Sequence, residues 1–307
     1  MRQRGRMPHP RPLPESLAGR PFTVSDALAI GVGRDRLDRS DLTAPFMGVR
    51  APAALVIDPL TRVRLGLLGC GEHAFSSGAS AATVIGIPLP SRYLGATVVE
   101  IAVPAPGRAI RRRGVSGRVL RVSDGEVVHW LGVRVTDPAR TWCDLAIVLS
   151  VPELVAAGDW LLRHGLSTAG SLAAAERARA DRRGAGRIRV ALPMLDPRSE
   201  SPKESELRAL IVLAGMPRPS ANVEIHGPDR RLVARVDLLF EEYGEVLEYH
   251  GDHHRTDVRQ WRRDRTREAD LESLGYHVME VTDDDLARPR SLTDRIERNL
   301  RRRGWSP

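Results

Sequence analysis

Residues 231–254 read RLVARVDLLFEEYGEVLEYHGDHH, two nearly apolar runs joined by a short polar turn. In the first, Leu232, Ala234, Val236, Leu238 and Phe240 alternate with Val233, Arg235, Asp237 and Leu239, the period of a strand packed on both faces. In the second, Val246, Glu248 and His250 share one face. Asp237 and Glu248 each interrupt an apolar centre, where a carboxylate is costly without a partner or a cation. Strands joined by so short a turn can bring the two acids together. Converging carboxylates suit a hard divalent cation such as Mg²⁺, which takes oxygen ligands and keeps waters. Such an ion lowers the pKa of a bound water and offsets charge developing on a phosphoryl oxygen. The alternative is an ordinary ion pair for each acid, with Arg235 or Arg267.

Outward from this stretch, His250, His253 and His254 crowd a loop beside Gly251 and Asp252, where an imidazole can act as general acid or base or bond to phosphate. A three-histidine zinc site is disfavoured, because the adjacent His253 and His254 point apart in an extended chain. The next helix, from about Asp257 to Leu274, places Trp261, Asp264, Arg267, Leu271 and Leu274 on one face. Asp264 and Arg267 therefore face inward, bordering a cleft or closing a buried ion pair. Gly275 ends that helix, YHVMEV forms a third strand, and Thr282 caps a last short helix. Upstream, SPKESELRALIVLAGM starts a helix at Ser201-Pro202, with Leu207, Leu210, Ile211 and Ala214 on one stripe. Glu204 in its first turn either compensates the helix dipole or supports a metal-bound water. The order helix, strand, strand, helix, strand, helix describes a small α/β core with its acids on the central strands.

Together these residues resemble the very-short-patch-repair-like endonuclease domain, a branch of the PD-(D/E)XK nuclease superfamily, from about Ser201 to Arg290. The family pattern is an early helical Glu, a strand Asp, Glu-x-Asp-Gly-x-x-His, and Asp-x-x-Arg before a Gly-aromatic strand. Glu204, Asp237, Glu248, Gly251, His254, Asp264, Arg267 and Gly275 match it. The resemblance implies a restriction-endonuclease-like α/β/α core with a mixed sheet, acting on double-stranded DNA with Mg²⁺ or another divalent cation. It implies catalytic roles for Glu204, Asp237, Glu248, His250 and His254, metal ligation by Asp237 and Glu248, and cleft support by Asp264 and Arg267. The pattern's second acid is replaced by His250, and the superfamily's lysine is absent there. His250 either takes over proton transfer or phosphate contact, or marks a domain that no longer cuts.

Toward the amino terminus, PFTVSDALAIGVGRDRLDRSDLTAPFMGVR reads as a helix from near Ser25, a turn at Gly31 to Gly33, a second helix of about 8 residues and a strand around Met47 to Arg50. Residues 60–160 alternate helix and strand signals: a helix near 59–69, the small-residue segment SSGASAATVIGIPLP, the strand TVVEIAVPAP, a basic loop at Arg111 to Arg113, a hairpin signal at Asp124-Gly125, and a helix introduced by Asp137-Pro138. From Phe22 to about Arg163 the chain is similar to AbiEi-type antitoxins and transcriptional regulators, a winged helix-turn-helix followed by a small α/β domain. That likeness implies DNA contact through Arg34, Arg36 and Arg39 on the second helix. Solvated helix charges are the alternative.

The formal charge of the 307 residues is +8, and Lys203 is the sole lysine, so arginine carries nearly all the positive charge. Arginine favours bidentate phosphate contacts, and a GC-rich coding bias gives the same composition. The two isolated cysteines, Cys70 and Cys143, suggest neither a zinc site nor a disulfide. No run approaches the roughly 20 apolar residues of a membrane span, and MRQRGRMPHPRPLPES lacks the apolar core of a signal peptide, so a soluble, cytoplasmic chain without a membrane partner is expected.

The layout read from the sequence is a flexible leader over 1–20, a winged helix-turn-helix over 21–58, a small α/β domain over 59–166, a helical or linker segment over 167–200 and a nuclease-like domain over 201–307. The leading expectation is a DNA-binding, metal-dependent endonuclease. The alternative is a non-catalytic AbiEi-like regulator with a degenerate nuclease fold and a toxin partner. A third, blander reading is a chain that binds neither DNA nor metal.

Overall fold

Short apolar segments punctuated by glycine and proline fold here into small sheets covered by helices. The computed structural model describes residues 11–93, 95–179, 181–251 and 258–307, with the side chains of 258–265 excluded. His253 and His254 thus lie outside the described residues, as do the side chains of Trp261 and Asp264. The chain is an α/β protein divided into two compact units, Met1–Thr141 and Trp142–Pro307.

The first unit opens with β1 (Phe22–Thr23), α1 (Val24–Ala29), α2 (Arg34–Leu37), β2 (Leu42–Thr43) and β3 (Val49–Pro52), the strands forming an antiparallel sheet in the order β1-β3-β2. Thr23 caps α1 by accepting from the Asp26 amide at 3.1 Å, and Gly31 turns the chain at φ 84°. The expected eight-residue second helix is a single turn. Arg50 ends it by donating to the Leu37 carbonyl at 2.7 Å and to Asp38 Oδ1 at 2.9 Å, supplying partners that further helix would have supplied. The expected flexible leader is also corrected in part, since Leu17 is buried with Phe22, Ala27, Val32 and Leu37.

The same unit continues with α3 (Pro59–Leu67), β4 (Phe75–Ser76), α4 (Gly78–Ile85), β5 (Val99–Pro104), β6 (Val115–Leu120), β7 (Val127–Trp130), β8 (Val133–Thr136) and α5 (Pro138–Leu145), which runs past the division between units. The five strands order as β6-β5-β4-β8-β7. Asp124-Gly125 is therefore not a hairpin turn, because β6 and β7 sit on opposite edges. The hairpin joins β7 to β8 through Leu131-Gly132, whose φ values of 49° and 74° match a primed turn. Parallel β5 and β6 are linked by residues 105–114, which cross over Gly117 so closely that a Cβ there would sit 2.0 Å from the Ile110 carbonyl oxygen. Gly117→Ala is expected to destabilise the unit by about 1–3 kcal/mol, read from urea unfolding; an unchanged midpoint would contradict the close approach.

The second unit begins with α6 (Val151–Arg163), α7 (Ala169–Ala178) and α8 (Ala185–Ala191). The segment 167–200, expected to be helical or a linker, carries α7 and α8 and buries Leu172, Ile188, Ala191 and Met194. Then follow α9 (Pro202–Leu213), β9 (Ser220–His226), β10 (Leu232–Phe240), β11 (Glu245–His250), α10 (Val258–Ser273), β12 (His277–Thr282), α11 (Asp283–Leu286) and α12 (Pro289–Arg302). The sheet order is β12-β11-β10-β9, antiparallel except for the parallel pair β11–β12. Strand β9 and helix α12 were not anticipated; Leu292, Ile296 and Leu300 bury one stripe of α12. Leu207 and Ile211 of α9 join that stripe with Leu238, Phe240 and Leu247, whereas Leu271 of α10 packs with Ala234, Val236, Leu239 and Val246. Helices thus cover both faces of this sheet. Among the described residues no helix is long and apolar enough to cross a membrane.

Candidate functional site

The β10–β11 ladder runs from Phe240–Glu245 to Leu238–Leu247, and one further step puts Asp237 across from Glu248. There the Tyr249 amide donates to Asp237 Oδ2 at 2.8 Å. Strict alternation along β10 also ends at this point, because Ala234 and Val236 join the cluster of Leu239, not that of Leu238. On the neighbouring strand, Asn222 lies between the pairs Val223–Val236 and Ala221–Leu238 and has a φ of 52°, in the left-handed region that asparagine tolerates better than most residues.

Glu204 reaches this place from the first turn of α9, whose amino end Ser201 caps at 3.1 Å. Its buried carboxylate accepts from the Asn222 amide nitrogen at 2.8 Å and from the Glu200 backbone at 2.9 Å. Burial pushes the half-buried Asp237 carboxyl above its ordinary range, and the negative charge of Glu204 adds to the rise. The Tyr249 bond and the positive charges of His250 and Arg267 oppose it. Glu248 is buried, and its Oε2 meets Arg267 Nη2 at 2.5 Å. His250 Nε2 stands 3.9 Å from Glu248 Oε2 and 4.0 Å from Glu280 Oε1.

Glu204, His250 and Arg267 lie near enough to Asp237 to act on it electrostatically, His250 and Arg267 also approach Glu248, and the structure realises the ion-pair alternative for Glu248 through Arg267. Arg235 turns instead to Glu200 at 2.6 Å. His254 and Asp264 fall outside what is described. Asn222, Glu268 and Glu280 were missed by sequence reasoning; the latter two line the same small recess as Glu248, His250 and Arg267. Glu280 faces Glu248 through the parallel register of β12, a pairing that no local sequence signal reveals.

As a donor set, the three carboxylates Glu204, Asp237 and Glu248 suit a hard cation, with no thiol among them. Burial is the main cause of the upward displacement of Asp237, with the charge of Glu204 adding to it, and a divalent ion would offset both. Among the described residues no three His, Cys, Asp or Glu side chains stand together as a metal-ligating group. The fit is one of chemistry, with Arg267 serving as the counter-charge of Glu248 in this structure.

Asn222→Gly would keep the left-handed backbone and remove the amide that holds Glu204, and is expected to cost about 1–2 kcal/mol in thermal or urea unfolding. Asn222→Val, which adds a β-branched side chain at positive φ, should cost more. Equal stabilities for both variants and the parent would contradict this role.

Of the residues expected to meet DNA, Arg34 and Arg39 are exposed. Arg36 is not available in the same way: it bonds the Arg11 carbonyl and closes a two-pronged pair with Asp41 at 3.0 and 2.7 Å.

No family model matches the chain, and no solved structure matches it. Two Mycobacterium tuberculosis proteins do, "Uncharacterized protein MT2308" and "Uncharacterized protein Rv2248". Each is 30% identical to this chain over 234 residues, which is 76% of this chain and 83% of the relative. The chain belongs to the family of these two mycobacterial proteins.

Proposed function

We propose that the chain is a DNA-binding protein whose carboxyl-terminal unit hydrolyses DNA phosphodiester bonds with the help of Mg²⁺ or another divalent cation. The observation that carries this reading is the placing of Asp237 and Glu248 on the two central strands, one step beyond the Leu238–Leu247 pair, with Glu204 and His250 acting electrostatically on Asp237. The order α9-β9-β10-β11-α10-β12, with β12 alone parallel to its neighbour, supports a restriction-endonuclease-like core and suits the very-short-patch-repair-like pattern of residues. Asp237 and Glu248 would hold the cation, which when bound activates a water and offsets charge on the scissile phosphate. Glu204, fixed by Asn222, keeps negative charge beside Asp237 and so favours a cation there. His250 takes or gives a proton at the phosphate, or donates a hydrogen bond to it. A winged helix-turn-helix role for 21–58 and a cytoplasmic location, where DNA is at hand, belong to the same proposal.

Purified protein should nick supercoiled plasmid in Mg²⁺ or Mn²⁺ and stop on chelation. Plasmid left intact across both metals and a range of pH would overturn hydrolysis.

The Arg267–Glu248 pair favours a second reading, because a guanidinium already satisfies one of the two acids. In it the protein is a non-catalytic regulator of AbiEi antitoxin type, its nuclease-like unit contacting DNA or a toxin partner. Tight binding to duplex DNA without cleavage, and co-purification with a nucleotidyltransferase-like toxin, would favour this reading.

A further inference from the structure

Four arginines of the amino-terminal unit are committed to carboxylates: Arg36 to Asp41, Arg50 to Asp38, Arg118 to Glu100 and Arg140 to Glu126. Arg34, Arg62 and Arg113 differ. They come from three separate places, α2, α3 and the β5–β6 connection, and converge on one open groove of about 1010 Å³. No acidic side chain lines that groove, and none of the described residues pairs with any of the three. A coding bias toward arginine explains how many there are. It does not explain why three unpaired ones gather in an acid-free concavity, since like charges brought together repel unless an anion is to sit among them.

From this convergence we infer that the groove of Arg34, Arg62 and Arg113 is the surface by which the amino-terminal unit holds the phosphate backbone of duplex DNA. The inference rests on DNA being the partner, and not on cleavage. Three guanidinium groups spread over separate elements suit an extended polyanion better than a single phosphate, whose site would be small and enclosed. The character of the lining favours duplex over single strand. Binding of single strands relies on exposed aromatic rings for stacking. Phe46, the groove's one aromatic residue, is buried, and the Arg112 guanidinium covers its ring at 5.2 Å. The exposed apolar surface is aliphatic instead, from Met47 and Val98, and fits deoxyribose and the edge of a groove. The surface thereby moves from the one-turn helix read in the sequence to a concavity that includes only its first residue, Arg34.

The test measures fluorescence anisotropy of the full chain, in an Asp237→Asn background that separates binding from cutting. The probe is a short duplex of arbitrary sequence, titrated from about 50 to 200 mM salt. Each of Arg34→Gln, Arg62→Gln and Arg113→Gln is expected to lower the slope of log affinity against log salt by about 0.9, and the triple variant by nearly three times that. Arg36→Gln should leave the slope unchanged, with unfolding curves confirming that each variant is folded. If the parent binds duplex DNA and the triple variant keeps the parent slope, the groove inference alone falls. No duplex binding by the parent would sink the reading of DNA as partner and this inference with it. Equal or tighter binding of single-stranded DNA or double-stranded RNA would overturn the choice of duplex DNA.

Discussion

Asp237→Asn is expected to lower DNA cleavage by on the order of 10³-fold while leaving duplex affinity within a few-fold of the parent. The substitution is nearly isosteric, and the Tyr249 amide can still donate to the side-chain carbonyl, so the strand geometry at 2.8 Å survives. What disappears is one negative charge in a half-buried corner where Glu204 already raises the cost of charge and a cation would be most stabilised. Removing it should also relieve part of that cost. The variant is therefore expected to melt at or slightly above the parent temperature, the opposite of what loss of a structural ion pair would produce. Single-turnover nicking and a thermal melt on the same preparation read both effects. Cutting at the parent rate in Asp237→Asn would refute the assignment of this carboxylate; a sharp loss of stability would place it in the framework instead.

The second large effect lies in the same unit, away from Asp237. Arg208 is 0% and Asp159 1% exposed, and they meet at 2.5 Å between α9 and α6. Arg208 also donates to the Met194 carbonyl, and the Asp196 amide donates to the other oxygen of Asp159 at 2.7 Å. Arg208→Met leaves the Asp159 carboxylate buried with its guanidinium gone, which typically costs about 3–5 kcal/mol. For a unit of this size that is a fall of roughly 10 °C in melting temperature. Asp159→Leu combined with Arg208→Met should recover much of the loss, since no uncompensated charge then remains.

The dependence on pH has a definite sign. Burial raises the Asp159 pKa from 3.8 to about 6, with Arg208 and the Asp196 amide opposing the rise. Between those values the folded protein holds a proton that the unfolded chain has released, so this group's stabilising contribution is full below pH 3.8 and is lost as pH rises through about 6. In Arg208→Met the window should extend upward and the variant should regain stability on acidification. A melt of Arg208→Met indistinguishable from the parent at neutral pH would contradict the buried pair.

Much of the carboxyl-terminal layout was legible because its signals are local. A period of two marked β10, a capping serine and proline marked α9, and Gly275 at φ 89° ended α10 close to where the pattern placed its end. β9 was missed although Ala221, Val223 and Ile225 alternate with polar residues along SANVEIH, the period of a half-buried strand that pairs with β10. The hairpin of the first unit was misplaced because Asp-Gly is the stronger turn signal, although the strands around it pair elsewhere. Over 167–200, read as helical or linker, the helices were legible but their packing was not, because small and charged residues do not show what buries them.

The opening stretch shows where the two levels divide. That Asp237 and Glu248 are anomalous could be read from residue order alone, because the cost of burying a carboxylate depends on its apolar neighbours in the strand. Which groups answer those acids could not. Arg267 lies 19 positions beyond Glu248, Glu204 lies 33 before Asp237, and Asn222 turns toward Glu204 only through a left-handed backbone. Electrostatic partners are chosen by distance in space, and folding sets that distance with little regard to separation along the chain.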